Sequence, residues 1–222
     1  MILIKYIPDV MNKGGVTMWA LLFCSVLMLA FAGERVYFFI RIKSDSGSII
    51  QKLARFLSLN DVKGAIDYLR NLSGLLPRVL EAGLLRYDGD KEDIEAAMAN
   101  GIQQQASLLE RHVGTIGTIA VISPFLGLLG TITGMISSFS EIAARGLTGP
   151  GVIATGVYEA LYTTAAGLII AIPAVIFHNY FRARIKETLT DMEINANKLL
   201  EIIVFVKKGK AIPAALVPAK ED

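Results

Sequence analysis

The chain has one cysteine, Cys24, and one tryptophan, Trp19. A lone thiol closes no intrachain disulfide, and no zinc-type spacing of Cys and His surrounds it. Cys24 therefore reads as a small packing residue. Charge is also scarce: Asp, Glu, Lys and Arg make up 19% of 222 residues, and the formal net charge is +2. That balance supplies no basic surface for nucleic acid. The sequence has no glycine-rich phosphate loop, no nucleophile–base set and no metal-ligand cluster, so neither an enzyme nor a cofactor is expected. The N-terminus, MILIKYIPDVMNKGG, lacks a basic region followed by a small-residue cleavage site, so the first apolar run is expected to stay in the protein.

Apolar length is what the sequence has in quantity. It is 53% hydrophobic, with a mean hydropathy of +0.52, which fits a membrane protein carrying soluble portions. Three runs are long enough to cross a bilayer as helices, for which about 20 apolar residues suffice. The first, within residues 16–40, is charge-free from Val16 to Gly33, with Trp19 near one end and Tyr37 near the other. The second, Val113 to Ser140, holds 28 residues without a charge, and the third, Ala160 to Phe181, holds 22 with only His178 titratable. Lys and Arg near the spans are unequal: Arg35, Arg41, Lys43, Arg111, Arg182, Arg184 and Lys186 on one side, Lys5, Lys13 and Arg145 on the other. By the positive-inside bias the first group is cytoplasmic, which puts the N-terminus outside and the C-terminus inside.

Residues 41–112 differ from the spans. Ten Lys/Arg and ten Asp/Glu accompany apolar residues at helical spacing, predicting several short amphipathic helices in a cytoplasmic domain. Breaks are expected at Asn60-Asp61, Asn71 to Gly74 and Tyr87 to Asp90. A longer helix is expected to start at Asp90 and run without interruption into the second span, ending near residue 139. The third span is expected to continue through 182–206, giving a helix over about 157–206. Each would be roughly 75 Å long by helix rise, well beyond a membrane core of about 30 Å, so both would extend far into the cytoplasm. The fold class is thus an all-α membrane protein with three transmembrane helices and a small helical cytoplasmic domain. Residues 1–15 form an outer lead-in, 141–159 a glycine-rich outer connector and 207–222 a flexible tail.

Small and hydroxylated residues in spanning helices mark faces that meet protein or a polar path. Thr131 and Thr164 lie at matched depth, roughly 6 to 9 Å outside the midplane by helix rise. Their hydroxyls can face a polar lumen or bond carbonyls one turn back in their own helices. Gly127, Gly130 and Gly134 make a small-residue ridge suited to helix packing and oligomerisation. Pro124 and Pro173 each remove one backbone hydrogen bond and are expected to bend their helices. Glu159 stands at the outer mouth of the third helix, where an acid also suits a helix N-terminus. No Asp, Glu, Lys or Arg occupies the central turns of any span, yet a proton-coupled machine needs an ionisable relay there. If this chain conducts protons, another chain must supply the titrating group.

At SPFLGLLGTITGMISSF (123–139) and GVYEALYTTAAGLIIAIPAVIFHNYFRARI (156–185) the sequence resembles the ExbB/TolQ/MotA proton-channel family. The order of one span, a cytoplasmic helical insert and two long helices supports the match, and the three-span layout and modest length resemble the ExbB/TolQ branch. The resemblance implies a homopentamer in the bacterial inner membrane whose second and third helices line a pore. It implies a dimer of a single-span ExbD/TolR-like protein in that pore, supplying the membrane aspartate, with a TonB- or TolA-like protein downstream. It also implies that Thr131, Thr164 and Glu159 line the proton pathway. The competing reading from the residues is an oligomeric membrane scaffold that conducts nothing.

Overall fold

A computed structural model of the chain describes residues 15–42, 46–145, 150–213 and 216, without the side chains of 145, 150–153, 155 and 159. Residues 1–14 of the lead-in read at 1–15, and 214, 215 and 217–222 of the tail, lie outside the described residues. Among the described residues there are seven α-helices and no strand: α1 (Gly15–Arg41), α2 (Ser46–Ser58), α3 (Val62–Arg70), α4 (Leu75–Leu84), α5 (Lys91–Glu110), α6 (Val113–Arg145) and α7 (Pro150–Lys207). Three of them, α1, α6 and α7, are long and apolar enough to cross a membrane, with mean hydropathies of 2.1, 2.0 and 2.0 over their best windows. The protein is an all-α membrane protein with three spanning helices.

The chain divides into two compact units. The first, Met1–Val36 with His112–Arg182, contains the apolar spans. Its surface is inverted relative to a water-soluble domain. Phe23, Phe125, Ile136, Phe139, Ile169 and Ile176 are all exposed, whereas the interior takes Ser123, Thr163 and a line of glycines. In lipid this arrangement is stable, because hydrocarbon solvates the large side chains as well as protein does and close packing of small ones draws helices together. The α1 helix presents one buried edge, Met18, Leu21, Cys24, Met28, Ala32 and Arg35, at the three- and four-residue steps of a helix face.

The second unit, Tyr37–Arg111 with Ala183–Asp222, is built as a soluble helical domain. Leu53, Leu57, Leu69, Leu80, Leu84 and Ile94 are essentially fully buried. Local chemistry sets the helix ends. Asn60 takes φ 60°, and the bonds from Asp61 N to Phe56 O (2.9 Å) and Asn60 N to Leu57 O (3.0 Å) close α2. The Asp61 carboxylate then accepts from Gly64 N at 2.9 Å and caps α3. Gly209, at φ 62°, ends α7 in the same way, with Lys210 N bonded to Phe205 O at 3.0 Å. Helices α4 and α5 pack antiparallel: Gly83 lies against Met98, and Gly101 brings α5 so close to Val79 that a Cβ would sit 3.4 Å from its Cα. At the end of α7, Lys207 donates to Gly89 O at 2.7 Å and lies 5.2 Å from the Tyr87 ring centroid. Burial pushes the Tyr87 phenol above its ordinary pKa, and the nearby Asp88 carboxylate adds to the shift.

Two helix boundaries differ from the sequence expectation. The helix read as continuous from Asp90 into the second span is two helices, parted at Arg111 and His112. Arg111 leaves helical geometry (φ −51°, ψ 133°) and His112 takes φ 62°. The His112 ring is held there from α1: Nδ1 meets Glu34 Oε2 at 2.6 Å, and the ring stacks on Phe31 at 4.6 Å. Most of the stretch read as a connector at 141–159 is helical, since α6 runs to Arg145 and α7 begins at Pro150. A proline at the first helical position has a preset φ and loses no needed donor, so it starts α7 and does not interrupt it.

Candidate functional site

The site is the seam between α6 and α7, which run antiparallel in the first unit. Along α6 the buried or half-buried line is Val113, Ile116, Ala120, Ser123, Gly127, Gly130 and Gly134, and along α7 it is Gly156, Ala160, Thr163, Gly167, Ile170 and Ala174. Steps of three and four alternate in both, the spacing that keeps one helix face on its partner. Backbone meets backbone in the middle. A Cβ on Gly127 would lie 2.8 Å from Thr163 O and 3.0 Å from Thr164 Cα, and one on Gly167 would lie 2.6 Å from Ser123 O. A Cβ on Gly130 would overlap the Thr163 side chain, and one on Gly156 would overlap Ser138. Gly134 is easier, its nearest neighbour being Gly156 O at 3.2 Å. The ridge of Gly127, Gly130 and Gly134 therefore faces α7 of the same chain.

Hydroxyls gather at one carbonyl. Thr163 and Thr164 both donate to Gly127 O at 3.3 Å, and Thr163 also donates to Ala160 O at 2.8 Å. Thr163 is 1% exposed and Thr164 half-buried, so Thr164 is the member of the pair with a side open to a further partner. Thr131 lies one turn along α6 from Gly127, but its hydroxyl donates to Leu128 O in its own helix at 2.6 Å. The structure thus brings Thr164, Gly127 and Gly130 together around Thr163 and leaves the Thr131 hydroxyl on its own backbone. Pro124 and Pro173 are both half-buried inside unbroken helices. Beside Pro124, Ser123 donates to Ile119 O at 2.7 Å. The backbone of Glu159 is helical, while its side chain lies outside the described residues.

Thr163 is the residue that reading the sequence missed. Its signal was present in the recurrence of small residues at 156, 160, 163 and 167, a periodicity of size with no matching periodicity of hydropathy. At the far end of the seam, Gly117 fits against the His178 ring, whose Nδ1 lies 3.1 Å from Val113 O. Glu34 bridges Arg35, which is 2% exposed, and His112. That charged group closes the end of the unit where α6 begins.

Comparison with known proteins follows the same elements. Residues 71–194, which include all of α5 and α6 and most of α7, match the MotA/TolQ/ExbB proton channel family. The biopolymer transport protein exbB1 of Vibrio cholerae is 34% identical over 166 residues, 72% of each chain. A putative biopolymer transport protein, ExbB-like 3, of Synechocystis is 31% identical over 173 residues, 77% of this chain and 82% of that one. The biopolymer transport protein ExbB of Salmonella typhimurium is 39% identical over 110 residues, 46% and 45% of the two chains. Among solved structures, C. jejuni MotAB shares the fold at a TM-score of 0.59, with 16% identity across 96% of this chain and 87% of the other. On the extent of the family match and the length of the shared sequence, this chain belongs to the MotA/TolQ/ExbB proton channel family.

Proposed function

We propose that this chain is the pore-forming subunit of a proton-motive-force-driven motor of the ExbB/TolQ type in a bacterial inner membrane. It works with a single-span ExbD/TolR-like partner and passes energy to periplasmic or outer-membrane clients of biopolymer transport. One observation carries the reading: Thr164 is held at the α6–α7 seam on the Gly127 carbonyl and keeps a side open, in spans whose central turns contain no ionisable acid or base of their own. A hydroxyl is both donor and acceptor, so Thr164 can pass a hydrogen bond between Gly127 O and a carboxyl group brought by another chain. The acid must come from that partner, because proton transfer through a bilayer needs a titrating group and these helices lack one. Glu159, one turn outside Thr163, extends the pathway toward the outer face, and Thr131 lines it from α6. The Lys/Arg asymmetry orients the chain with its N-terminus periplasmic and the second unit cytoplasmic. Copies of the chain form the ring, a pentamer around a partner dimer, with the exposed apolar faces of α6 and α7 available to neighbouring copies and to lipid.

The test is the native mass of the complex, co-expressed with the single-span protein encoded nearby, combined with proton uptake into vesicles. A complex of five copies with two partners, and uptake abolished by Thr164→Val without loss of assembly, is the expected result. A homo-oligomer that ignores the partner and conducts nothing would overturn the motor reading in favour of a scaffold. The glycine ridge is taken up by packing within one chain, so it is not the surface through which such a scaffold would assemble.

A further inference from the structure

The Gly127 carbonyl is the meeting point of three donors. Its own helix supplies one, the Thr131 N–H four residues on, since α6 is unbroken there. Thr163 Oγ1 and Thr164 Oγ1 supply the other two, both at 3.3 Å. A carbonyl oxygen has two lone pairs, so the two hydroxyls share one place. Both distances are long for an O–H···O bond, whose usual length is about 2.7 to 2.8 Å, as sharing of an acceptor entails.

The two hydroxyls are not equivalent. Thr163 has a second acceptor, Ala160 O at 2.8 Å, whereas Thr164 Oγ1 makes no other hydrogen bond among the described residues. A hydroxyl donates one proton, so at rest Thr163 donates to Ala160 O and Thr164 to Gly127 O. Thr163 reaches both acceptors from one position of Oγ1, and its switch between them rotates the O–H bond and moves no heavy atom. The seam permits nothing larger: Thr163 is 1% exposed, and its side chain fills the space that a Cβ on Gly130 would need. Ala160 O keeps a donor after the switch, the Thr164 N–H of its own unbroken helix.

A carboxyl group brought to Thr164 makes opposite demands in its two states. Protonated, it donates to Thr164 Oγ1, which goes on donating to Gly127 O. Ionised, it only accepts, so Thr164 must turn its O–H away from Gly127 O. We propose that Thr163 is a positioning residue that takes over Gly127 O at that moment, so that the seam accommodates both charge states of the partner's acid by hydroxyl rotation alone. No proton leaves its own oxygen in this exchange. A hydrogen bond to the ionised form of an acid favours that form, so the stand-in donor supports ionisation. The inference rests on the proposed contact between Thr164 and the partner's acid. Titratable groups of this chain are few around the pair. From Val113 to Ser140, α6 has none. Tyr158, Glu159 and Tyr162 precede the pair on α7, the two phenols bonded to each other at 3.0 Å, and His178 follows it, bonded at Val113 O. The α1 helix brings Cys24, Glu34 and Arg35, with Glu34 engaged by Arg35 and His112.

The test is a pH titration of the full complex in vesicles, co-expressed with the single-span partner and labelled with carbon-13 at the aspartate carboxyl. The readout is the infrared C=O stretch of protonated aspartate. This chain has no Asp within its three apolar runs, so a labelled band that persists toward neutral pH belongs to the partner. Thr163→Val and the smaller Thr163→Ala are expected to raise its midpoint by roughly half to one pH unit, the size of one net hydrogen bond. Thr163→Ser, which keeps the hydroxyl, is expected to hold the native midpoint. Thr164→Val is expected to raise it too, and Thr163→Val added to that variant to raise it no further. A native midpoint in both Thr163→Val and Thr163→Ala would overturn the proposal. An equal shift in Thr163→Ser would also overturn it, by tracing the effect to packing, as would a further rise in the double variant, by showing that Thr163 does not act through Thr164. An unmoved midpoint in Thr164→Val, or no such band in the native complex, would instead sink the contact between Thr164 and the partner's acid, and this inference with it. The failure of the stand-in alone is thereby distinct: Thr164→Val moves the midpoint and the Thr163 variants do not.

Discussion

A threonine hydroxyl inside a membrane has few partners, and Thr163 and Thr164 show two ways to satisfy one. Thr163 is enclosed, bonded to Ala160 O and Gly127 O, and packed where Gly130 has no side chain. Thr164 makes one bond to the same carbonyl and stays half open. Thr163→Val keeps the shape and loses both bonds, so it should lower stability by about 1 kcal/mol, measured by thermal unfolding in detergent. Thr164→Val should change stability less and conduction more. The glycines should separate by clearance. Gly130→Ala forces a methyl into Thr163 and should cost about 1 to 3 kcal/mol, the range for overpacking. Gly114→Ala, with nothing within 4 Å of the new methyl, should be neutral or slightly stabilising, since alanine is the better helix former. Equal effects at 130 and 114 would show that the seam is looser than described.

Among the helices, boundaries made by local chemistry were legible in the sequence and those made at a distance were not. Asn60-Asp61, Asn71 to Gly74 and Tyr87 to Asp90 all separate helices, because a cap or a left-handed residue acts on its own neighbours. Asp61→Ala should therefore cost about 1 kcal/mol through the loss of the α3 cap, as read from denaturant unfolding of the full chain. The break at Arg111-His112 has no such mark. It depends on Glu34 and Phe31, about 80 positions earlier, and no window around residue 112 contains them. The helical start at Pro150 was hidden by the glycines around it. In the site, Thr164 and the three glycines stood out by residue type, whereas Thr163 could be found only by following small size along α7. The turn between α4 and α5 gives a pH dependence. The Tyr87 phenol has a raised pKa in the folded chain, so the folded state holds the proton more tightly than the unfolded one. Its contribution is complete below the ordinary tyrosine value of about 10 and is lost as pH rises through the folded value. Alkaline unfolding should begin in that window, and Tyr87→Phe should delay it.

For the whole molecule, orientation is the property that most constrains mechanism. A cysteine placed at Lys210 in a Cys24→Ser background should react with a membrane-impermeant maleimide only after the cytoplasmic face is opened; labelling from the outside would invert the topology. Cys24 is buried on the edge of α1, so replacing it by serine removes the sole background thiol at a small packing site. The packing of α6 on α7 has a further consequence for which changes in sequence this protein can absorb. In most proteins a swap between similar hydropathies is mild and one between unlike hydropathies is harsh. Here the order is reversed along the seam. At Gly127 and Gly130 a single methyl, the gentlest change by polarity, meets backbone or Thr163. At Phe125 or Ile169, both more than 60% exposed, a change among large apolar residues meets only lipid or a neighbouring chain. A saturation library of this gene should therefore sort by side-chain volume along 127, 130, 156, 163 and 167, so that a score built on hydrophobicity alone would rank the most damaging substitutions as the safest.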